Sequence, residues 1–140
     1  MQEQTVDLTN VLDNNPDLGN IGANDERHPY WTEDEQTIYY SSNTPFFITD
    51  SSGNRVQVTS YQLWRIPSNG SGTSSITGVD TGAQPITADG NVYDFPAVNS
   101  SNRIAYLKSL DGGTTFHLYE TTVPAAGVRI TPQVTAESLT

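Results

Sequence analysis

Two parts of this chain repeat one order of strand-forming motifs, and that repeat limits the folds open to it. The first part carries His28-Pro29-Tyr30-Trp31-Thr32, Ile38-Tyr39-Tyr40-Ser41, Gln62-Leu63-Trp64-Arg65 and Ser75-Ile76-Thr77. The second carries Phe95-Pro96-Ala97-Val98-Asn99, Ile104-Ala105-Tyr106-Leu107, His117-Leu118-Tyr119-Glu120 and Arg129-Ile130-Thr131. Ile38 and Ile104 stand 66 positions apart, while Trp64 and Tyr119 stand 55 apart. The spacing drifts because the first unit holds an extra hairpin within residues 46–59. Each unit offers four short strands. One such sheet exposes both faces, and stacking against a neighbour buries them.

The local patterns agree. No 11-residue window shows a 3.6-residue apolar period, so helices are not expected. Short runs of β-formers bounded by turn residues predict strands over 28–32, 37–41, 46–49, 55–59, 61–67, 93–98, 103–107, 115–121 and 128–131. Asp50-Ser51-Ser52-Gly53-Asn54 and Asp111-Gly112-Gly113 read as turns. In 61–67, Tyr61, Leu63 and Arg65 alternate with Gln62, Trp64 and Ile66. Both faces are apolar, which places this strand between packed layers. Residues 1–24 form a polar segment with one edge or donor strand expected at Thr5-Val6-Asp7-Leu8-Thr9-Asn10. The remaining divisions are a first blade over 25–78, a connection over 79–93, a second blade over 94–133 and a tail over 134–140.

The repeated residues resemble the TolB-type β-propeller repeat. That family's pattern, Pro-x-Trp-Ser-Pro-Asp-Gly followed by Ile-Ala-Phe, Leu-Trp/Tyr and Leu-Thr, stands here as Pro29-Tyr30-Trp31-Thr32-Glu33-Asp34-Glu35, Ile38-Tyr39-Tyr40, Gln62-Leu63-Trp64-Arg65 and Ile76-Thr77. The second copy keeps Pro96 but has neither the Trp nor the Pro-Asp-Gly turn. The resemblance implies an all-β fold of two propeller-type blades, each a four-stranded antiparallel sheet. It also implies partner binding, and burial of Trp31 and Trp64 between blades. Closed propellers usually need about 4–8 blades. Two blades are therefore expected to belong to, or to assemble into, a larger propeller or β-assembly.

Charge and composition narrow the partners. The 140 residues include 16 acids against six bases, for a formal net charge of −10. Binding to DNA or RNA calls for a basic surface, so nucleic acid is not the expected partner. No apolar run approaches the roughly 18 residues of a membrane span, and no basic start leads into an apolar stretch. Cysteine is absent, which removes disulfides and thiolate chemistry. Abundant Ser, Thr and Asn with a single Lys suggest an extracellular or periplasmic location.

Motifs for chemistry are sparse. Glu33, Asp34 and Glu35 are consecutive and read as a solvated turn. His28 is expected to make local hydrogen bonds, and His117 to sit in a strand; two histidines 89 positions apart are no metal signature. Gly72-Thr73-Ser74-Ser75-Ile76 fails the nucleophile-elbow pattern at its last position. Asp13-Asn14-Asn15-Pro16-Asp17 offers oxygens, but Leu18 and Asn24 stand where a calcium loop wants Gly and Glu. No catalytic, cofactor or metal residue is expected, and the chain is read as a non-enzyme. The expected role is a structural or protein-interaction module working through Val6, Leu8, Trp31, Tyr40, Trp64 and Tyr119. Its partners would be further blades or identical copies. The rival roles are a self-assembling ring or filament subunit joined by edge strands, and a carbohydrate-binding lectin using its aromatic residues.

Overall fold

The computed structural model describes residues 24–68 and 82–130. Nine strands and no helix lie within them: β1 (Glu26–Trp31), β2 (Thr37–Ser42), β3 (Phe46–Thr49), β4 (Arg55–Val58), β5 (Gln62–Pro67), β6 (Gln84–Pro85), β7 (Val92–Val98), β8 (Arg103–Ser109) and β9 (His117–Thr122). They form an antiparallel four-stranded sheet β1-β2-β5-β6, a two-stranded sheet β3-β4, and an antiparallel three-stranded sheet β7-β8-β9.

The sequence repeat is also a backbone repeat. β1 carries a bulge between Arg27 and Tyr30, and β7 carries one between Asp94 and Ala97. The four non-glycine residues with positive φ among those described form two pairs, each 67 positions apart: His28 (54°) with Phe95 (50°), and Glu35 (62°) with Asn102 (59°). His28 and Phe95 are the bulge residues preceding Pro29 and Pro96. Glu35 and Asn102 sit in the turns that follow. In both turns an acceptor side chain gathers backbone amides: Asp34 Oδ1 accepts from Gln36 N at 3.0 Å, and Asn99 Oδ1 from Ser101 N and Arg103 N at 3.0 and 3.1 Å.

β5 lies between two layers, as its alternation requires. Trp64 and Ile66 join Tyr40, Phe46, Val58 and Ala83 in one apolar cluster, beneath the β3–β4 hairpin. Leu63 faces the other way. It packs with Tyr39 and Ile86 against Tyr93, Ile104, Tyr106 and Tyr119 of the three-stranded sheet. The hairpin turn forms because Gly53 supplies a φ of 83° and Asp50 Oδ1 accepts from Ser52 N and Asn54 N at 2.9 and 2.8 Å. This hairpin is the extra element that shortens the repeat spacing.

Several expectations meet corrections. The fourth strand of the first sheet is β6, inside the segment read as a connection; Ser75-Ile76-Thr77 lies outside the described residues. Two residues, one of them proline, give almost no strand signal. Pro85 is tolerated because β6 is an edge strand opposite Trp64 and Arg65. Its neighbours Ala83, Ile86 and Thr87 are buried all the same. The strand expected over 128–131 is absent among the described residues. Val128 N instead closes a turn on Ala125 O, and Ile130 N donates to Ile86 O at 2.7 Å. Trp31, expected in the core with Trp64, is 54% exposed, whereas Trp64 is fully buried. Trp31 stands opposite Ile38 at the end of β1, and its repeat counterpart Val98 packs against the apolar cluster between the two larger sheets.

Candidate functional site

The two larger sheets meet along a seam where β1 and β7 run side by side. Buried polar links fix it. Ser41 Oγ donates to Tyr93 O at 2.7 Å, and Tyr93 N donates to Tyr61 O at 3.0 Å. Gln62 Nε2 donates to Asp89 O and Asn91 O at 2.8 and 3.0 Å, holding the loop that leads into β7. Each satisfies groups that would otherwise be costly to bury.

Asp94 is the centre of the seam. It is 5% exposed and stands beside the β7 bulge. Its Oδ1 accepts from His28 Nδ1 at 2.7 Å and from Phe95 N at 2.8 Å. A carboxylate only accepts, so the imidazole proton sits on Nδ1 in this bond and Nε2 points elsewhere. Arg27 Nε lies 3.3 Å from Asp94 Oδ2 but lacks hydrogen-bond geometry. The Arg27 guanidinium is stacked 3.7 Å over the Tyr61 ring. The Tyr61 hydroxyl donates to Asp25 Oδ2 at 2.6 Å, and that bond raises its pKa. His28 stacks on Phe95 with ring centroids 3.7 Å apart, and Phe95 is 52% exposed.

The two stacked residues both hold left-handed backbone. For L-residues this costs roughly 1–2 kcal/mol each. Such strain persists only where surrounding contacts over-determine it, and it gathers at working sites. Here the Asp94 carboxylate and the ring stack are those contacts.

Further along the seam, Tyr30 Oη donates to Val98 O at 2.8 Å. Beyond it a cleft of about 510 Å³ opens between the β1–β2 turn and the second sheet, lined by Tyr30, Glu33, Val98, Arg103 and Glu120 among others. An adjoining recess of about 410 Å³ lies between the two repeat turns. Arg103 forms a two-point ion pair with Glu120, whose carboxyl it holds below the usual range. Asp34 is likewise held low, first by the Thr32 hydroxyl and then by the Gln36 amide. These charges are engaged in shaping turns and pairing strands.

Chemically, the seam offers one oriented imidazole, a stacked guanidinium and an exposed aromatic ring. Among the described residues no hydroxyl is hydrogen-bonded to His28, and no group of three His, Asp or Glu side chains is placed to hold a metal.

The expected interaction residues separate. Tyr40, Trp64 and Tyr119 are interior, at 4%, 0% and 2% exposure. Trp31 is on the surface, and Val6 and Leu8 lie outside the described residues, as does the stretch 13–17 weighed for calcium. Of the two histidines, His28 bonds across 66 positions rather than locally, and His117 is exposed on β9. Arg27, Tyr61, Asp94 and Phe95 were not singled out by sequence. The shared His28-Pro29 and Phe95-Pro96 positions of the repeat were the available signal.

The chain matches no family model, no curated protein and no solved structure. No helix long and apolar enough to cross a membrane is present among the described residues.

Proposed function

We propose that this chain is a non-catalytic protein-interaction module of an extracellular or periplasmic protein, built from two TolB-like propeller-type blades and engaging its partner along the β1–β7 seam. The observation that carries this reading is the pair of stacked, left-handed residues His28 and Phe95 at matching bulges. They hold an aromatic surface outward at a cost in backbone strain. Interface hot spots favour aromatic side chains and Arg in such settings, and Arg27 and Tyr61 stand beside them. The blade reading is supported by the matched bulges and turns, and by sheets stacked face to face. Glu35 stands at the Gly position of the TolB-type turn and has the left-handed φ that glycine would give.

The test is capture of a single partner from the source extract by the intact chain, compared with a Phe95→Ser variant of unchanged circular dichroism. Loss of capture by the variant supports the seam, and equal capture by both removes it. Turnover of an ester, glycoside or peptide that His28→Asn abolishes would overturn the non-catalytic reading.

A second reading, a self-assembling subunit, is favoured by one observation. The face of the three-stranded sheet that carries Ala97, Ala105, Leu107 and Leu118 points away from the first sheet and is partly exposed.

A further inference from the structure

The cleft beyond Tyr30 is walled by both repeats. Tyr30 and Glu33 come from the first, and Val98, Arg103 and Glu120 from the second. It holds about 510 Å³, and the recess of about 410 Å³ beside it shares Glu33, Val98, Asn99 and Ser100 with it. Every wall residue lies within the described segments.

The walls select the sign of a ligand. Glu33, Asp34 and Glu120 supply negative charge, and Arg103 is the one base beside them. Asp34 and Glu120 stay ionised, because their hydrogen bonds hold both carboxyls low. Arg103 is not available to an anion. Its Nε and Nη2 bond Glu120, and its Nη1 donates to Thr122 Oγ1 at 3.1 Å. Glu33 is exposed and makes no hydrogen bond or ion pair among the described residues. Unpaired negative charge in a concave site favours a cation.

The other lining is apolar and aromatic. Ala97, Val98 and Ala105 lie beside Tyr30, whose hydroxyl is tied to Val98 O. Elsewhere this chain sets its own cations against rings. Arg27 lies 3.7 Å over Tyr61, Arg55 3.6 Å over Phe47, and Lys108 5.4 Å from both Tyr93 and Tyr119. The Tyr30 ring has no ring or cation against it among the described residues. A planar guanidinium stacks on such a ring while its fork of donors meets a carboxylate, which a lysine ammonium does less well. The recess adds spare polar groups. Asn99 uses its Oδ1 on Ser101 N and Arg103 N, while its amide nitrogen and the Ser100 hydroxyl make no hydrogen bond among the described residues. Such groups suit a peptide main chain.

We propose that the cleft receives an arginine side chain from a basic segment of the partner protein, its stem along Val98 and Tyr30, its guanidinium at Glu33 and its main chain in the recess at Asn99 and Ser100. This rests on the interaction-module reading and names the partner's chemistry. The partner is opposite in sign to a chain of net charge −10, which also speeds encounter at low salt. The cleft shares no residue with the His28–Phe95 stack, so the two can be tested apart.

NMR amide shifts of the full-length chain, titrated with acetyl-Gly-Arg-Gly-amide, test this. Saturable shifts are expected, centred on Tyr30, Glu33, Val98 and Asn99 and weakened by salt. The same peptide with citrulline in place of arginine keeps the length without the charge, and should bind at least about fivefold more weakly. Glu33→Gln should weaken the arginine peptide by about threefold. Ala97→Phe, which crowds the cleft from an exposed position, should abolish the shifts while the rest of the spectrum stays that of the parent. Shifts scattered over the acidic surface, equal binding of the citrulline peptide, or unchanged binding by Glu33→Gln would overturn the proposal. Butylguanidinium binding as tightly as the peptide would give the cleft to a free small cation, against the assignment made here. Loss of capture by Phe95→Ser with a cleft silent to arginine keeps the seam and removes this site. Equal capture with a responsive cleft does the reverse.

Discussion

Removing Phe46 should cost this molecule much of its stability, and removing its neighbour Phe47 should not. Phe46 is fully buried on the inner face of the hairpin, edge-on to Trp64 with centroids 5.6 Å apart and ring planes at 88°. Truncating a buried Phe to Ala costs about 3–5 kcal/mol. Of that, the aromatic pair contributes about 0.5–1.5 kcal/mol beyond area burial. Against a total of about 5–15 kcal/mol for a domain, the loss is large and should lower the melting temperature by on the order of 10 °C. Phe47 points to the other face of the hairpin, half-buried under the Arg55 guanidinium at 3.6 Å. Its truncation should cost about 1 kcal/mol. The assay is urea unfolding followed by circular dichroism and by fluorescence in a Trp31→Phe background, where Trp64 alone reports. A Phe46→Ala/Trp64→Phe double-mutant cycle then isolates the pair. Equal costs for Phe46→Ala and Phe47→Ala, or a cost below about 1.5 kcal/mol for the former, would refute the hairpin's place in the core.

Other expectations follow from backbone and charge. Gly53→Ala meets no atom within 4 Å, so its cost of about 1–2 kcal/mol comes from the φ of 83° alone, and thermal melts will read it. Glu35→Gly relieves the same strain and should stabilise by up to about 1 kcal/mol, while Asn102→Gly should be nearly neutral because Asn tolerates this conformation. The Ser109 hydroxyl, and then the Thr115 amide, hold the Asp111 carboxyl down at about 2, so its contribution to stability is present above the ordinary value of 3.8 and lost as pH falls through about 2. Carboxyl NMR titration gives that value directly, and Asp111→Asn should flatten the acid limb of stability. Burial pushes the Tyr106 hydroxyl up to about 12, so the neutral form's contribution is complete below pH 10 and disappears as pH rises through about 12. Ultraviolet titration of Tyr106→Phe against the parent should show one late-ionising tyrosine fewer.

Strands with alternation or a dense run of β-formers were readable from sequence, β5 most of all, because its two apolar faces announced two layers. β6 was not, since a two-residue edge strand containing proline has neither period nor propensity. Its burial comes from Trp64 and Leu63 beside it. Trp31 and Trp64 look alike in sequence, yet one is exposed and one buried, because the hairpin shelters Trp64 and leaves the end of β1 uncovered. The seam was legible in outline only. The repeat marked His28 and Phe95 as equivalent, but the local signal for a left-handed turn is weak: His is only modestly favoured there, Phe is not, and both precede a proline that favours extended backbone. Asp94 reads as an ordinary strand-edge acid until a histidine 66 positions away closes on it.

The hairpin between β2 and β5 gives the molecule a direction. Ile38, Tyr40 and Trp64 match Ile104, Tyr106 and Tyr119 in the repeat, and the second sheet uses that face to lean on the first. On the first sheet the same face is already taken by Phe46 and Val58. Among the described residues, the pile of sheets thus has a bookend on one side and an uncovered, partly exposed face on the other. On the assembly reading proposed above, a further sheet would stack on the β7-β8-β9 side. A short insertion has turned a unit that would otherwise be interchangeable along a row into one with a first and a last position.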